Sequence, residues 1–205
     1  MRNVATEQLR GAAFGARPDI AVTGARGSGD AEWLAAVVLG GQGWYAAAAT
    51  RLRDLRPRAG PVLSALAAST LAAHRRQVGG HDAARVLDAA ALRRLAAAGP
   101  SGAGIAGASI DPAGLDPADP DGADAAGARS DALLGLAADA LGVGRTAVAR
   151  RLLAIADGLG GGWRAQVRRR WVRAEIALAD GRADAAVAPA ESALRRAEAA
   201  GAVRH

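Results

Sequence analysis

The chain has 205 residues, no cysteine and a formal net charge of +6, and all 26 of its basic residues are arginine. The absence of cysteine excludes disulfides and thiolate metal sites, and no apolar run is long enough to predict a transmembrane helix. Alanine and leucine dominate while β-branched and aromatic residues are scarce, so the composition predicts an all-α protein and argues against a sheet.

The predicted elements begin with a Gly-rich segment over residues 1–29, which has no clear period. We expect it to be flexible, although Thr6 to Phe14 can form a short helix. Residues 30–98 then carry apolar residues at three- and four-residue spacing, which predicts helices. They form two predicted pairs: 30–39 with 43–56, and 62–78 with 81–98.

Residues 99–129 repeat Asp-Pro and Asp-Gly and predict a flexible acidic linker. Residues 130–201 return to helical spacing and predict two more pairs, 131–142 with 145–158 and 163–180 with 182–200. Pro189 lies inside the last helix, where proline removes a backbone donor, and we expect it to kink or divide that helix.

One register of small residues runs through all four predicted pairs. Gly43 and Gly79 are 36 residues apart, and Gly144 and Gly181 are 37 apart. Such periods are typical of two-helix repeats. Each glycine is expected to end a first helix in a left-handed turn, and the alanines to mark where the two helices cross closely. The register consists of Ala36-Gly43-Ala48, Ala72-Gly79-Ala84-Ala91, Ala137-Gly144-Ala149-Ala156 and Ala174-Gly181-Ala186-Ala193.

In this register the chain resembles the tetratricopeptide-repeat family, from which it departs by lacking the family's aromatic near position 4 and its closing proline. The resemblance implies a right-handed solenoid of about four antiparallel helix pairs whose concave groove, lined by the first helices, binds peptides or helices. No lysine is present and Asn3 is the one asparagine, so capture of a C-terminal carboxylate is not expected. The implied groove positions are Trp33, Val37, Ser69, Arg76, Leu134, Arg168, Trp171 and Glu175.

The segment from Trp163 to Leu178 is the most distinctive chemically. Trp163, Val167, Trp171, Ala174 and Leu178 share one helical face, and Arg164 and Arg168 flank it. Arginine beside tryptophan is a common composition of binding hot spots, which adds Arg164 to the candidate partner-binding residues. The alternative is that both tryptophans pack into the repeat core while the arginines are solvated. The sequence leaves the two open.

No Ser, His and acid combination predicts an enzyme, and His74 and His81 near one turn lack further metal ligands. We therefore expect no catalytic, cofactor or metal site. The predicted function is a cytoplasmic adaptor that binds a protein or peptide, with no membrane contact. The arginine surplus supports an alternative, a nucleic-acid-binding or transcription-regulatory protein, unless it reflects the codon bias of a GC-rich, for example actinobacterial, genome.

The first predicted pair is rich in Ala and Trp, although the ends of helical stacks need polar caps. We therefore expect this end to be covered, either by the N-terminal segment or by a second subunit.

Overall fold

The computed structural model describes residues 4–17, 19–22, 28–98 and 125–202. All regular elements in these ranges are helices, and the same ranges contain no β-strand. None of these helices is long and apolar enough to cross a membrane. The helices are α1 (Val4–Phe14), α2 (Gly29–Gly41), α3 (Tyr45–Leu55), α4 (Pro61–Gln77), α5 (His81–Ala97), α6 (Ala125–Gly142), α7 (Thr146–Asp157), α8 (Trp163–Ala179) and α9 (Ala183–Ala199).

Four antiparallel pairs follow α1, and we name them hairpins 1 to 4: α2–α3, α4–α5, α6–α7 and α8–α9. Their bounds agree with the predicted pairs to within a few residues, except that α6 begins at Ala125 rather than at 131. The linker predicted to reach Arg129 therefore gives way to helix earlier, and Ala128 in that first stretch is fully buried. Residues 99–124 of the predicted linker lie outside the described residues.

The four predicted turn glycines all have positive φ. Gly79, with φ of 80°, follows α4, and its N–H donates to the carbonyl of Arg76 at 3.0 Å. The next N–H, of Gly80, donates to the carbonyl of Arg75 at 2.9 Å. This pair of hydrogen bonds ends the helix, and it requires a left-handed backbone conformation at Gly79, which glycine adopts most readily. The same geometry recurs at Gly43, Gly144 and Gly181, with φ of 86°, 72° and 71°.

The alanines of the register are buried where the helices of each hairpin cross. Ala48, Ala84 and Ala149 have no exposed surface, and Ala186 is 5% exposed. A methyl side chain lets two helix backbones approach closely, which explains why this position is alanine in all four second helices.

The hairpins pack in series. The first helices α2, α4, α6 and α8 contact one another in that order, and each second helix contacts its own first helix and the first helix of the next hairpin. One apolar core extends from α1 through hairpins 1 and 2 to the start of α6, and a second joins α6, α7 and α8.

Two sequence-based expectations concern single segments. The short helix allowed for Thr6 to Phe14 is present as α1, which packs against α2 and buries Leu9 and Phe14, so the N-terminal segment covers part of the first hairpin. Pro189 lies inside α9 without dividing it. The helix continues because Ala186, Ala193 and Ala197 stay buried on both sides of the proline.

Candidate partner-binding surface

The predicted partner-binding residues all lie on first helices. Trp33 is on α2, Arg76 is on α4, and the other four, Arg164, Arg168, Trp171 and Glu175, are on α8. The structure brings some of them into contact with buried partners and leaves others on the surface.

Trp33 and Arg164 meet across the molecule around a residue of α1. The Phe14 ring lies against Trp33, with 5.8 Å between the ring centroids, and the Arg164 guanidinium carbon lies 3.9 Å from the Phe14 ring centroid. The Trp33 indole N–H donates to the Thr70 hydroxyl of α4 at 2.9 Å. An aromatic ring between a tryptophan and a guanidinium gains both apolar burial and cation–π attraction. We call this arrangement the Phe14 slot.

A cavity of about 260 Å³ adjoins the Phe14 slot between α1 and the last hairpin. Gly11 and Phe14 line it from α1, and Trp163 and Ala200 line it from the other side. A methyl group at Gly11 would have no neighbour within 4 Å. Helix α1 therefore leaves the space beside Gly11 unfilled.

Arg76 belongs to a buried ionic network between hairpins 2 and 3. Its Nε and Nη2 donate to the two carboxylate oxygens of Asp139 at 2.8 and 3.0 Å, and Nη2 also donates to Asp88 at 2.7 Å. His81 Nδ1 lies 3.0 Å from Asp139 Oδ1. Arg76 is thus engaged by carboxylates of α5 and α6.

Of the two carboxylates bonded to Arg76, Asp88 accepts fewer hydrogen bonds than Asp139. Burial raises its pKa to about 7, against the opposing effects of the Arg76 charge, the Ser69 hydroxyl and the Arg168 charge. One guanidinium neutralises one carboxylate, and Asp139 takes the two-bond geometry. Gly135 on α6 makes room for the pair, because a Cβ there would lie 2.1 Å from Asp88 Oδ2.

Arg168 and Arg164 both approach Asp131 of α6. Arg168 donates to one carboxylate oxygen of Asp131, and Arg164 Nη2 lies 3.5 Å from the other. These contacts join hairpins 3 and 4 on the side of the first helices.

Trp171 and Glu175 form the exposed part of the predicted set. The Trp171 side chain is 55% exposed, and its indole N–H donates to Glu175 Oε1 in the same helix at 2.7 Å. Of the face predicted for α8, Val167 and Ala174 are buried against α9, Trp163 is partly buried, and Leu178 is exposed. The two tryptophans therefore differ: Trp163 packs against the core, whereas Trp171 is open to solvent.

Several residues of this surface are absent from the sequence-based prediction. Phe14 is the only phenylalanine in the chain, which is the one signal that could have marked it. Asp131, Asp139 and Asp88 carry no such signal, because an aspartate inside a helix is usually solvated. His74, near the end of α4, is half-buried: its ring lies 5.4 Å from that of Tyr45, and burial lowers its pKa.

Among the residues that the structure describes, no three His, Asp or Glu side chains are grouped so that they could hold a metal ion. Comparison of the chain with models of protein families, with curated proteins and with solved structures finds no match.

Proposed function

We propose that this chain is a non-catalytic scaffold that binds a partner protein by taking one of its helices onto the face of the first helices. One observation carries the proposal. The chain's own helix α1 already lies on that face, with Phe14 held between Trp33 and Arg164. A surface that seats a helix in this way has the chemistry of a helix-in-groove site.

The repeat register supports the tetratricopeptide-like arrangement that the proposal assumes. Four hairpins share the same turn glycine and the same buried alanine, and successive first helices pack in series. In such a stack the first helices line one continuous surface, which is the surface offered to a partner.

Helix α1 is a weak occupant by its composition. Among residues 6–14, for which burial is described, Leu9 and Phe14 are the large apolar side chains that it buries, and the other buried residues, Ala12 and Ala13, are small. A partner helix with an aromatic in the place of Phe14 and a large aliphatic three residues before it would also fill the cavity beside Gly11. Burying one leucine contributes about 1.5–3 kcal/mol, which corresponds to roughly 10- to 100-fold in affinity.

The proposal is tested with a labelled peptide of residues 1–17 that carries Gly11→Leu. Fluorescence anisotropy would measure its binding to the full chain and to a Phe14→Ala variant, in which the slot is vacated. We expect binding to the variant at least tenfold tighter than to the parent. The Gly11→Leu peptide should also bind tighter than the peptide with Gly11.

Two further variants are controls. Arg164→Glu in the Phe14→Ala background removes the cation above the ring and should abolish the gain, whereas Trp171→Ala, away from the slot, should leave it unchanged. Absence of peptide binding to a Phe14→Ala variant that is still helical by circular dichroism would refute the proposal.

The nucleic-acid alternative has less support because many arginines are engaged by carboxylates. Arg76, Arg168 and Arg173 pair with Asp139, Asp131 and Asp157. Salt titration separates the two functions, since binding dominated by phosphate contacts weakens with log salt by several units of slope. Tight heparin binding with such a slope, and no helix binding, would favour the alternative.

A further inference from the structure

Among the described residues, no helix packs on the outer side of hairpin 4. This side repeats positions that the other hairpins use to bind their neighbours. These positions are counted from the turn glycine: ten and three residues before it on the first helix, and six and thirteen after it on the second. In hairpin 4 they are Trp171, Leu178, Val187 and Leu194, and we call them the end face.

On the first helices the equivalent residues contact the next hairpin. Ten residues before its glycine, Trp33 bonds to Thr70 of α4, and Leu134 packs in one cluster with Val172 and Ile176 of α8. Three residues before its glycine, Arg76 bonds to Asp139 of α6. Trp33 is 3% exposed and Leu134 is 1% exposed. The following first helix contacts both, and Phe14 of α1 also lies against Trp33.

The second helices behave in the same way. Six residues after its glycine, Arg150 pairs with Asp180 at the end of α8. Two residues hold the position thirteen residues after the turn glycine. Asp157 pairs with Arg173 of α8, and Leu92 packs against the core of α6 and α7. Each of the four positions thus carries a contact to the next hairpin in at least one case, although Arg85, six residues after Gly79, is exposed and pairs with Asp82 of its own helix.

Hairpin 4 has large apolar residues at all four positions, and all are more than half exposed. Trp171 is 55% exposed, Leu178 57%, Val187 53% and Leu194 55%. The internal interfaces mix apolar residues with Arg and Asp at these positions, whereas the end of a stack is ordinarily polar so that it stays solvated. The end face is thus more apolar than the interfaces inside the molecule, and contiguous exposed apolar surface of this kind marks a protein-binding site.

We propose that a second copy of this chain covers the end face, with two hairpins 4 packed face to face around a two-fold axis. Such an interface buries the end face of both copies at once, because a two-fold contact uses the same surface on each subunit. Charged residues of both signs lie on the same two helices or at their ends: Glu191 pairs with Arg195, Arg182 pairs with Asp180, and Glu175 accepts from the Trp171 indole. A copy rotated about the axis can pair these charges, which favours self-association despite the net charge of +6.

The dimensions also suit a dimer. Helices α8 and α9 each have 17 residues, so each is about 25 Å long. Two such helices side by side can bury roughly 800 Å² per subunit, the size of a standard stable interface. This inference does not rest on the binding of a partner helix at the Phe14 slot.

The test is the oligomeric state of the full chain, measured by analytical ultracentrifugation and light scattering from micromolar to about 100 µM. We expect a dimer whose dissociation constant rises roughly 100-fold or more in Leu194→Glu and in Val187→Glu, because each change places two charges in the interface. Trp44→Glu is the matched control, since Trp44 is 64% exposed but lies at the turn of hairpin 1. It should leave the dimer intact.

The chain has no cysteine, so single-cysteine variants report the geometry directly. A nitroxide spin label on Leu178→Cys should show a short distance to its copy in the dimer, whereas a label on Val86→Cys, similarly exposed on α5, should show a longer one. A chain that stays monomeric at 100 µM would overturn the proposal and assign the end face to a different protein. A dimer unaffected by both Glu variants would also overturn it.

Discussion

At the scale of single residues, the buried ionic network between hairpins 2 and 3 contains more negative charge than its one guanidinium neutralises. Asp139 takes both Nε and Nη2 of Arg76 and also contacts His81, whereas Asp88 shares Nη2 alone. Asp88 has no exposed surface, so ionising it costs solvation free energy that a single bond does not restore. This is why its pKa rises to about 7.

The raised pKa predicts how Asp88→Asn changes stability with pH. Asp88 keeps a proton in the folded state up to about pH 7 but ionises near 3.8 when unfolded. Its contribution to the free energy of unfolding is therefore full below about pH 4 and is lost as the pH rises to 7 and beyond. Asparagine is always neutral, so the variant should gain on the parent between pH 4.5 and 8, by up to about 4 kcal/mol.

Urea unfolding at several pH values measures this difference. Asp82→Asn is the control, because Asp82 is solvent-exposed in the same helix and its replacement leaves the buried network intact. A parallel pH profile for Asp88→Asn and the parent would contradict the prediction.

At the scale of elements, α9 shows that tertiary packing can outweigh a local helix breaker. Pro189 cannot donate to the carbonyl of Ala185, and its ring crowds that carbonyl, at a cost of about 3 kcal/mol. The alanine side of α9 nevertheless packs on α8 before and after the proline, and Arg170 Nε donates to the Ser192 hydroxyl at 2.8 Å.

Pro189→Ala should therefore raise the free energy of unfolding by about 1–3 kcal/mol, because it restores a backbone bond without removing a buried contact. Chemical denaturation followed by circular dichroism would measure the gain. Pro61→Ala is the matched control: Pro61 begins α4, where proline is favourable, so no gain is expected there. A loss of stability in Pro189→Ala would show that the proline is needed for the packing of hairpin 4.

At the scale of the whole molecule, the hairpins on both sides of residues 99–124 are joined. Helices α4 and α5 pack against α6, the first core includes Ala128 and Ala132 of α6, and Arg76 bonds to Asp139. We infer that the two halves unfold as one cooperative unit rather than as independent pairs of hairpins.

Gly135→Ala tests that cooperativity at the junction. The added methyl would overlap Asp88 and lie 3.0 Å from Arg76 Nη2, so overpacking should cost about 1–3 kcal/mol beyond the helix propensity gained. Circular dichroism and tryptophan fluorescence should show one coincident transition, shifted together. Gly11→Ala, which adds a methyl in open space, should not destabilise the protein. Two separate transitions would contradict the prediction.

The sequence by itself determined the helical class, the four hairpins and their turns. Gly79 and Gly144 were predictable because a left-handed turn and a close helix crossing are local requirements, met by glycine and alanine at constant spacing. Because the register is constant, the residues of the end face can be found in the sequence once the contacts between the other hairpins are known.

Only the tertiary structure decided which predicted residues are exposed and which are engaged inside the fold. Arg76 bonds to a residue 63 positions away, and Phe14 of α1 meets Arg164 of α8. Such contacts depend on how helices that are distant in the sequence approach each other. The local sequence around an arginine is the same whether its side chain faces solvent or Asp139, so no local pattern predicts the contact. Trp33 and Trp171 hold the same register position, yet one is buried and the other exposed, because α4 and Phe14 of α1 pack against the former alone.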